Sequence, residues 1–404
     1  MKKFSITADR KNGMMKAGGK MESYKNMALK IIDEKYDKAK KRKMDLWAEL
    51  AKETSEESLH ICLFGRGLLG EIFYHILEDM GIKTKCFCDN DPNKWGMSQF
   101  ENVICLSPEQ LKEKYKQENM LVIASLGAVN EVYEQLKKMG VSNIIKHPFD
   151  LLYEWTNNWM NVSKKEILDG VGSLFDILAD EQSKKIAYYK VSSLFKITEE
   201  LNELSYGDVC TDEEYIPADI MKLKKNEMLV DCGSFTGDTL EYIMEDCGYR
   251  SFEKYTCFEL SECNFKALKN RVESFDEEIK ERIVLNNVGV SETNQTIKYT
   301  GEVSGTHISD DVGITGNVVS LDTAMKDELV TYLKMDIEGS EMSALRGAKE
   351  LLKRNKPKCA ICVYHKATDL WQIPLLLKEI VPEYRLYFRH HTETQNDTVC
   401  YAVI

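Results

Sequence analysis

No apolar run among the 404 residues is long enough to cross a bilayer, and the start, Met1-Lys2-Lys3-Phe4-Ser5, lacks the apolar core of a signal peptide. Both absences predict a cytoplasmic chain without a membrane span. Positive charge is short as well. Fifty-four Lys and Arg stand against 66 Asp and Glu, a formal net charge of −12, which disfavours nucleic-acid backbones as partners. Gly-Lys-Ser and Gly-Lys-Thr, the phosphate-gripping end of a P-loop, are missing, and this disfavours ATP or GTP. The 12 cysteines are scattered. Cys359-Ala-Ile-Cys362 has the spacing of a metal or redox pair but lies within an apolar strand pattern, with no second pair to complete it. Reduced thiols packed into strands are the simpler reading.

Hydrophobic residues at 43% and charged residues at 30% describe a globular chain, long enough for two domains. Residues 1–57 form a helical N-terminal segment, with Met27, Ile31, Ile32 and Tyr36 at helical spacing. That stripe needs a neighbouring element or a second subunit, so a homo-oligomer is an expectation. The basic run Lys38–Lys43 reads as a solvated helix face. Residues 58–150 then alternate strand and helix. The strand Ile61–Phe64 runs into Gly65-Arg66-Gly67-Leu68-Leu69-Gly70, a helix follows, and the next strand closes on Asp89. An acidic residue about 20 positions after such a glycine turn is what a dinucleotide-binding unit uses to hold ribose. Gly65, Gly67, Gly70 and Asp89 are therefore a second nucleotide site, for a nucleotide or sugar nucleotide. A Rossmann unit used only for assembly is the alternative. Residues 151–222 read as a helical connector and cap, and Tyr206 and Tyr215 lie just before the next strand.

Residues 223–404 form the second α/β unit. Met228–Asp231 is a buried strand that breaks into Gly233, Ser234, Thr236 and Gly237 before a helix starts at Asp238. Strand, glycine turn and helix in that order make the first ligand-binding crossing of a doubly wound sheet. Seven principal strands follow one another to the end, the last antiparallel. Glu259 ends the second strand, where a carboxylate can accept both hydroxyls of a ribose. With no cation in the turn and no GxGxxG, a nucleoside without phosphates fits best, and S-adenosylmethionine is the common one. Asp336 and Glu338 end the fourth strand, His365 follows the fifth, and His390 and His391 follow the sixth. Parallel strands bring all of these to one edge. Lys334 shares a strand face with Asp336 and is expected to pair with it, while Glu341 and Arg346 are read as helix-stabilising. The loop 301–316, rich in Gly, Ser, Thr and Asp, is a candidate lid.

The stretch Lys334-Met335-Asp336-Ile337-Glu338-Gly339-Ser340-Glu341, continued by Leu345-Arg346-Gly347-Ala348, resembles the FkbM-type S-adenosylmethionine-dependent methyltransferases. Val230-Asp231-Cys232-Gly233, Gly237-Asp238-Thr239, Phe258-Glu259-Leu260, Tyr364-His365-Lys366 and Arg389-His390-His391 extend the likeness over residues 205–404. Leu260 stands where the family often has proline. The resemblance implies a class I methyltransferase sheet and methyl transfer to a hydroxyl of a sugar, glycan or secondary metabolite. It also implies cofactor contacts from Asp231, Gly233, Thr236, Gly237, Asp238, Glu259 and Asn287. Residues 58–150 look like the Rossmann-like domain sometimes fused ahead of such enzymes. Among the groups at the carboxyl edge, His365 is the expected general base, with Asp336 and Glu338 placing it or the acceptor. No metal site is assigned, and a divalent metal held by those two carboxylates is the competing mechanism. A nucleotide-binding protein with a vestigial methyltransferase fold is the rival function.

Overall fold

The computed structural model describes residues 22–100, 103–124, 129–145, 159–195, 206–245, 248, 250–300, 307–309, 314–392 and 396–404. The chain enters through α1 (Tyr24–Ser55), which the Ser23 hydroxyl caps by accepting from the Asn26 N–H. Ala28, Ile32, Tyr36 and Ala39 repeat at three- and four-residue spacing along α1 and are buried, as one stripe of an amphipathic helix must be.

The first sheet follows. Its elements are β1 (His60–Phe64), α2 (Leu68–Asp79), β2 (Thr84–Cys88), β3 (Ser98–Phe100), β4 (Val103–Leu106), α3 (Pro108–Tyr115), β5 (Met120–Ile123), α4 (Val129–Met139) and β6 (Ile144–Ile145). The strand order is β3-β4-β2-β1-β5-β6, parallel except for the edge strand β3. The interior strands are apolar on both faces, as helix-covered parallel strands must be, and each face has its own core.

Two helices come next, α5 (Lys164–Ile177) and α6 (Glu181–Leu194). They receive the α1 stripe, and the Tyr36 hydroxyl donates to the Val162 carbonyl at 2.7 Å. The N-terminal helix thus finds its partner within the chain. The segment after α6 runs beside the far edge of the second sheet, with the Thr211 N–H donating to the His390 carbonyl at 2.8 Å.

The second unit contains β7 (Met228–Cys232), α7 (Asp238–Glu245), β8 (Lys254–Phe258), α8 (Glu262–Glu273), β9 (Ile283–Asn286) and four short strands, β10 (Gly289–Val290), β11 (Gln295–Thr300), β12 (His307–Ser309) and β13 (Ile314–Val319). It continues with β14 (Tyr332–Met335), α9 (Glu341–Arg346), β15 (Lys358–Cys362), α10 (Asp369–Ile380), β16 (Arg385–His390) and β17 (Thr398–Val403). The main sheet has the order β16-β17-β15-β14-β7-β8-β9, and β17 alone runs antiparallel. The sequence expectation of an α/β fold with an antiparallel seventh strand holds. Strands β10 to β13 form a small separate sheet. Of the candidate lid, residues 301–306 and 310–313 lie outside the described residues. No helix among the described residues is long and apolar enough to cross a membrane.

Candidate active site

The strand order of the main sheet reverses between β7 and β14, and open α/β sheets bind ligands at the carboxyl ends of such a pair. Here the two ends nearly touch. A side chain on Gly233 would put its Cβ 1.8 Å from the Asp336 carbonyl oxygen, and Gly233 has φ +78°, so only glycine fits. A cavity of about 320 Å³ opens at this point. Gly233, Phe235, Asp238 and Glu259 line it from the β7 and β8 ends, Asp336 and Glu338 from the β14 end, and Glu214 and Asp397 also belong to the lining.

Glu259 is buried, and its carboxylate accepts the N–H groups of Phe235 at 2.9 Å and Ser261 at 2.8 Å. Burial nevertheless raises its pKa above the ordinary value. Asp231 is placed differently from the expectation. It is 1% exposed and not among the lining residues, with Lys334 Nζ 3.1 Å away and the Tyr255 hydroxyl donating at 3.0 Å. Lys334 therefore pairs with Asp231, not with Asp336, because it reaches across to β7 and also donates to the Gly233 carbonyl at 2.7 Å. Breaking such a buried pair by removing one partner costs about 3–5 kcal/mol, so Asp231 is better placed to hold the turn than to touch a ligand. Thr239 lines the cavity, while Thr236 and Gly237 are not among the lining residues. Asn287 donates to the carbonyls of Glu259, at 2.9 Å, and Leu260, at 3.3 Å, which steadies the loop after β8.

Asp336, Glu338 and His365 do meet. His365 Nε2 lies 3.3 Å from Asp336 Oδ1 and 3.5 Å from Glu338 Oε2. Its Nδ1 lies 2.9 Å from Glu341 Oε1. Burial opposes a charge on the ring, but Glu341, Glu338 and Asp336 push its pKa up to about 10. The carboxylates around it thus favour a proton on the ring where no cation sits among them. Asp336 also accepts from the Tyr215 hydroxyl at 2.9 Å and the Tyr364 hydroxyl at 3.2 Å. Burial works against its charge, yet His365 and Lys334 hold its carboxyl below the usual range. Elsewhere on the lining, burial pushes Glu214 up to about 8 and Asp397 up to about 6, with nearby carboxylates adding to both.

His390 and His391 do not join this group. His390 is fully buried, its Nδ1 2.7 Å from the Thr398 hydroxyl. His391 has the Thr211 carbonyl 3.0 Å from Nδ1 and the Tyr401 hydroxyl 2.9 Å from Nε2. Both belong to β16 and its exit, separated from β14 by β15 and β17. Glu341, read from sequence only as helix-stabilising, also lies against His365. It is 0% exposed, and the Ile337 N–H donates to it at 2.8 Å. The Asp336-x-Glu338-x-x-Glu341 spacing was the available signal, since the first turn of α9 folds back on the strand end. Tyr215 reaches the ligand edge, as its position before β7 suggested; the side chain of Tyr206 lies outside what is described.

In the first sheet, Gly65 has φ +114°, and a Cβ on Gly70 would meet the Gly65 oxygen at 2.0 Å. Around Gly67 nothing lies within 4 Å of an added Cβ. Asp89 is engaged from within the chain: it accepts from the N–H groups of Arg66 at 2.7 Å and Asp91 at 2.9 Å, and Lys94 Nζ lies 2.9 Å away. Arg66 is buried and donates to the Met97 carbonyl at 3.2 Å.

Comparison with known proteins agrees with this geometry. Residues 231–393 match the family model of the methyltransferase FkbM domain. No curated protein matches the chain. The crystal structure of methyltransferase FkbM from Methylobacillus flagellatus KT is similar over 93% of this chain and 100% of its own, with a TM-score of 0.69 and 20% identity. The methyltransferase domain of bacterial CtHen1-CN is a looser likeness, at a TM-score of 0.30 and 13% identity over 44% of this chain and 90% of its own. Residues 231–393, which carry most of the carboxyl-terminal sheet and the cavity at its switch point, are thus similar to the methyltransferase FkbM domain.

Proposed function

We propose that the protein transfers a methyl group from S-adenosylmethionine to a hydroxyl of a sugar, glycan or secondary metabolite. The observation that carries this reading is the cavity itself, with a buried acidic strand end, Glu259, on one side and Asp336 and Glu338 on the other. The residues fit the donor. Glu259 would hold the ribose, and the Gly233 turn lets the backbone come close without a Cβ in the way. Asp238 and Thr239, also on the lining, would complete the contacts. Bound there, S-adenosylmethionine supplies a methyl group on a sulfonium, already activated for attack by oxygen. The remaining tasks are to position the acceptor and to take its proton. Asp336 and Glu338 offer acceptor oxygens for the incoming hydroxyl, and a carboxylate receives the proton. Glu214 and Asp397, also on the lining, offer further polar contacts to a polyhydroxylated acceptor.

Substituting Glu259→Ala removes two charged-acceptor hydrogen bonds and should weaken binding of the donor, or of its demethylated product, by about 1.5–3 kcal/mol. Titration calorimetry on the two proteins decides it. Equal affinities would show that the ribose is held elsewhere and sink the assignment. Incubation of the wild type with labelled donor and candidate sugars, glycans and metabolites then identifies the acceptor.

A further inference from the structure

We infer that Asp336, Glu338 and His365 form a site for a divalent cation of the magnesium or manganese type, with Glu341 orienting the histidine from behind. This deepens the reading above and takes its chemical purpose from it, but the cation would bind whether or not that reading holds.

Three observations converge. Possible ligand atoms of Asp336, Glu341 and His365 all lie within 4.8 Å of one another. Glu338 adjoins that cluster: His365 Nε2 lies 3.3 Å from Asp336 Oδ1 and 3.5 Å from Glu338 Oε2. Adjacent ligands at about 2.1 Å from an octahedral ion stand about 3 Å apart, so small side-chain shifts suffice. Second, the side chain of His365 is 9% exposed, and neither ring nitrogen makes a well-aligned hydrogen bond. Oε2 of the fully buried Glu341 has no hydrogen-bond partner either. Buried polar atoms left in this condition are few in proteins and call for an explanation, of which an ion is one. Third, three carboxylates crowd a single imidazole, while the nearby Lys334 is already committed to Asp231. A divalent cation offsets that local excess of negative charge.

The ring has two distinct sides. Asp336 and Glu338 face the cavity, so Nε2 is the nitrogen presented to an ion there. Nδ1 faces Glu341 at 2.9 Å. A carboxylate behind a metal-bound histidine fixes its tautomer and orientation. The hydroxyls of Tyr215 and Tyr364 do the same for Asp336. Glu338 is held at φ +54°, an uncommon conformation for glutamate, in the turn that brings it to this edge. Two carboxylates and one imidazole suit manganese or magnesium, with open positions left for water or an acceptor oxygen. An acceptor hydroxyl bound to the ion becomes more acidic and hence a better nucleophile.

The test uses the full chain, stripped with EDTA and titrated with Mn2+ while the free-ion signal is followed by electron paramagnetic resonance. One Mn2+ per chain should disappear from the signal. Asp336→Asn and His365→Ala should each weaken binding at least tenfold, and Glu341→Gln by about 10–100-fold. Glu338→Gln, at a partly exposed position, is the variant expected to fold normally, and it too should bind Mn2+ more weakly; circular dichroism checks all four. Free Mn2+ that stays free with the wild type, or folded variants that bind it as tightly as the wild type, overturns the site. Calorimetry with the demethylated donor on the same samples separates the two proposals. Mn2+ bound without the nucleoside leaves this site standing and removes the methyl-transfer reading, and the reverse pattern does the opposite.

Discussion

His365 and His391 occupy one domain, yet their surroundings drive them toward opposite charge states. Carboxylates around His365 raise its pKa. Burial, with Arg389 adding to it, lowers His391 to about 4, and the Thr211 carbonyl, Asp212 and Asp219 only partly oppose this. A folded value below that of the free imidazole, about 6.5, means that the unfolded chain binds the proton first. The stability tied to His391 is therefore complete above pH 6.5 and is lost as pH falls toward 4. From pH 6.5 to 4.5, wild-type unfolding free energy should fall by on the order of 2 kcal/mol more than that of His391→Gln. Urea titrations at the two pH values measure it, and parallel slopes would refute it. The sequence placed all the edge histidines together because each follows a strand. It could not show that β17 inserts between β15 and β16 and carries His390 and His391 away from β14. Asp336, Glu338 and His365 were legible because strand ends on neighbouring parallel strands must converge. The buried pair of Asp231 and Lys334 was not, since alternation along one strand is silent about which neighbour a long side chain crosses to.

At the scale of the element, both glycine turns were visible in sequence, but the separate duties of their glycines were not. In the first sheet Gly70 lets α2 lie against the Gly65 carbonyl, while Gly67 faces open space. Close helix packing is thus the duty of Gly70 and not of Gly67. Gly70→Ala should lower stability by about 1–3 kcal/mol through forced displacement of backbone. Gly67→Ala should change it by about 1 kcal/mol or less, the size of a helix-cap adjustment. Thermal and denaturant unfolding of the two variants compare them directly, and equal losses would mean that the turn relaxes around either methyl. The engagement of Asp89 by Arg66, Asp91 and Lys94 has no counterpart in the motif. It depends on the loop after β2 folding back, and glycine spacing carries no information about that.

Over the whole molecule, α1 is the part that the two sheets share. Its first half, with Ala28, Ile32, Tyr36 and Ala39, is built into the core that also contains α5, α6 and one face of the methyltransferase sheet. Its last turns send Leu50 into the core of the first sheet, alongside Leu59 and Ile61. The sequence showed an apolar stripe in need of a partner; which partner depended on the connector helices, whose own stripes were equally uncommitted. Tyr36 sits at the centre of the first contact, its ring 5.6 Å from Trp159 and 6.3 Å from Phe195. Tyr36→Ala removes those contacts and the hydrogen bond to the Val162 carbonyl, a loss of about 3–5 kcal/mol for a large buried aromatic. Because the cores are separate, the loss should be local at first. Hydrogen exchange should quicken in α5 and α6, while the amides of β1, β2 and β5 keep their protection. If the first sheet loosens by the same amount, α1 transmits between the cores and the two units unfold as one.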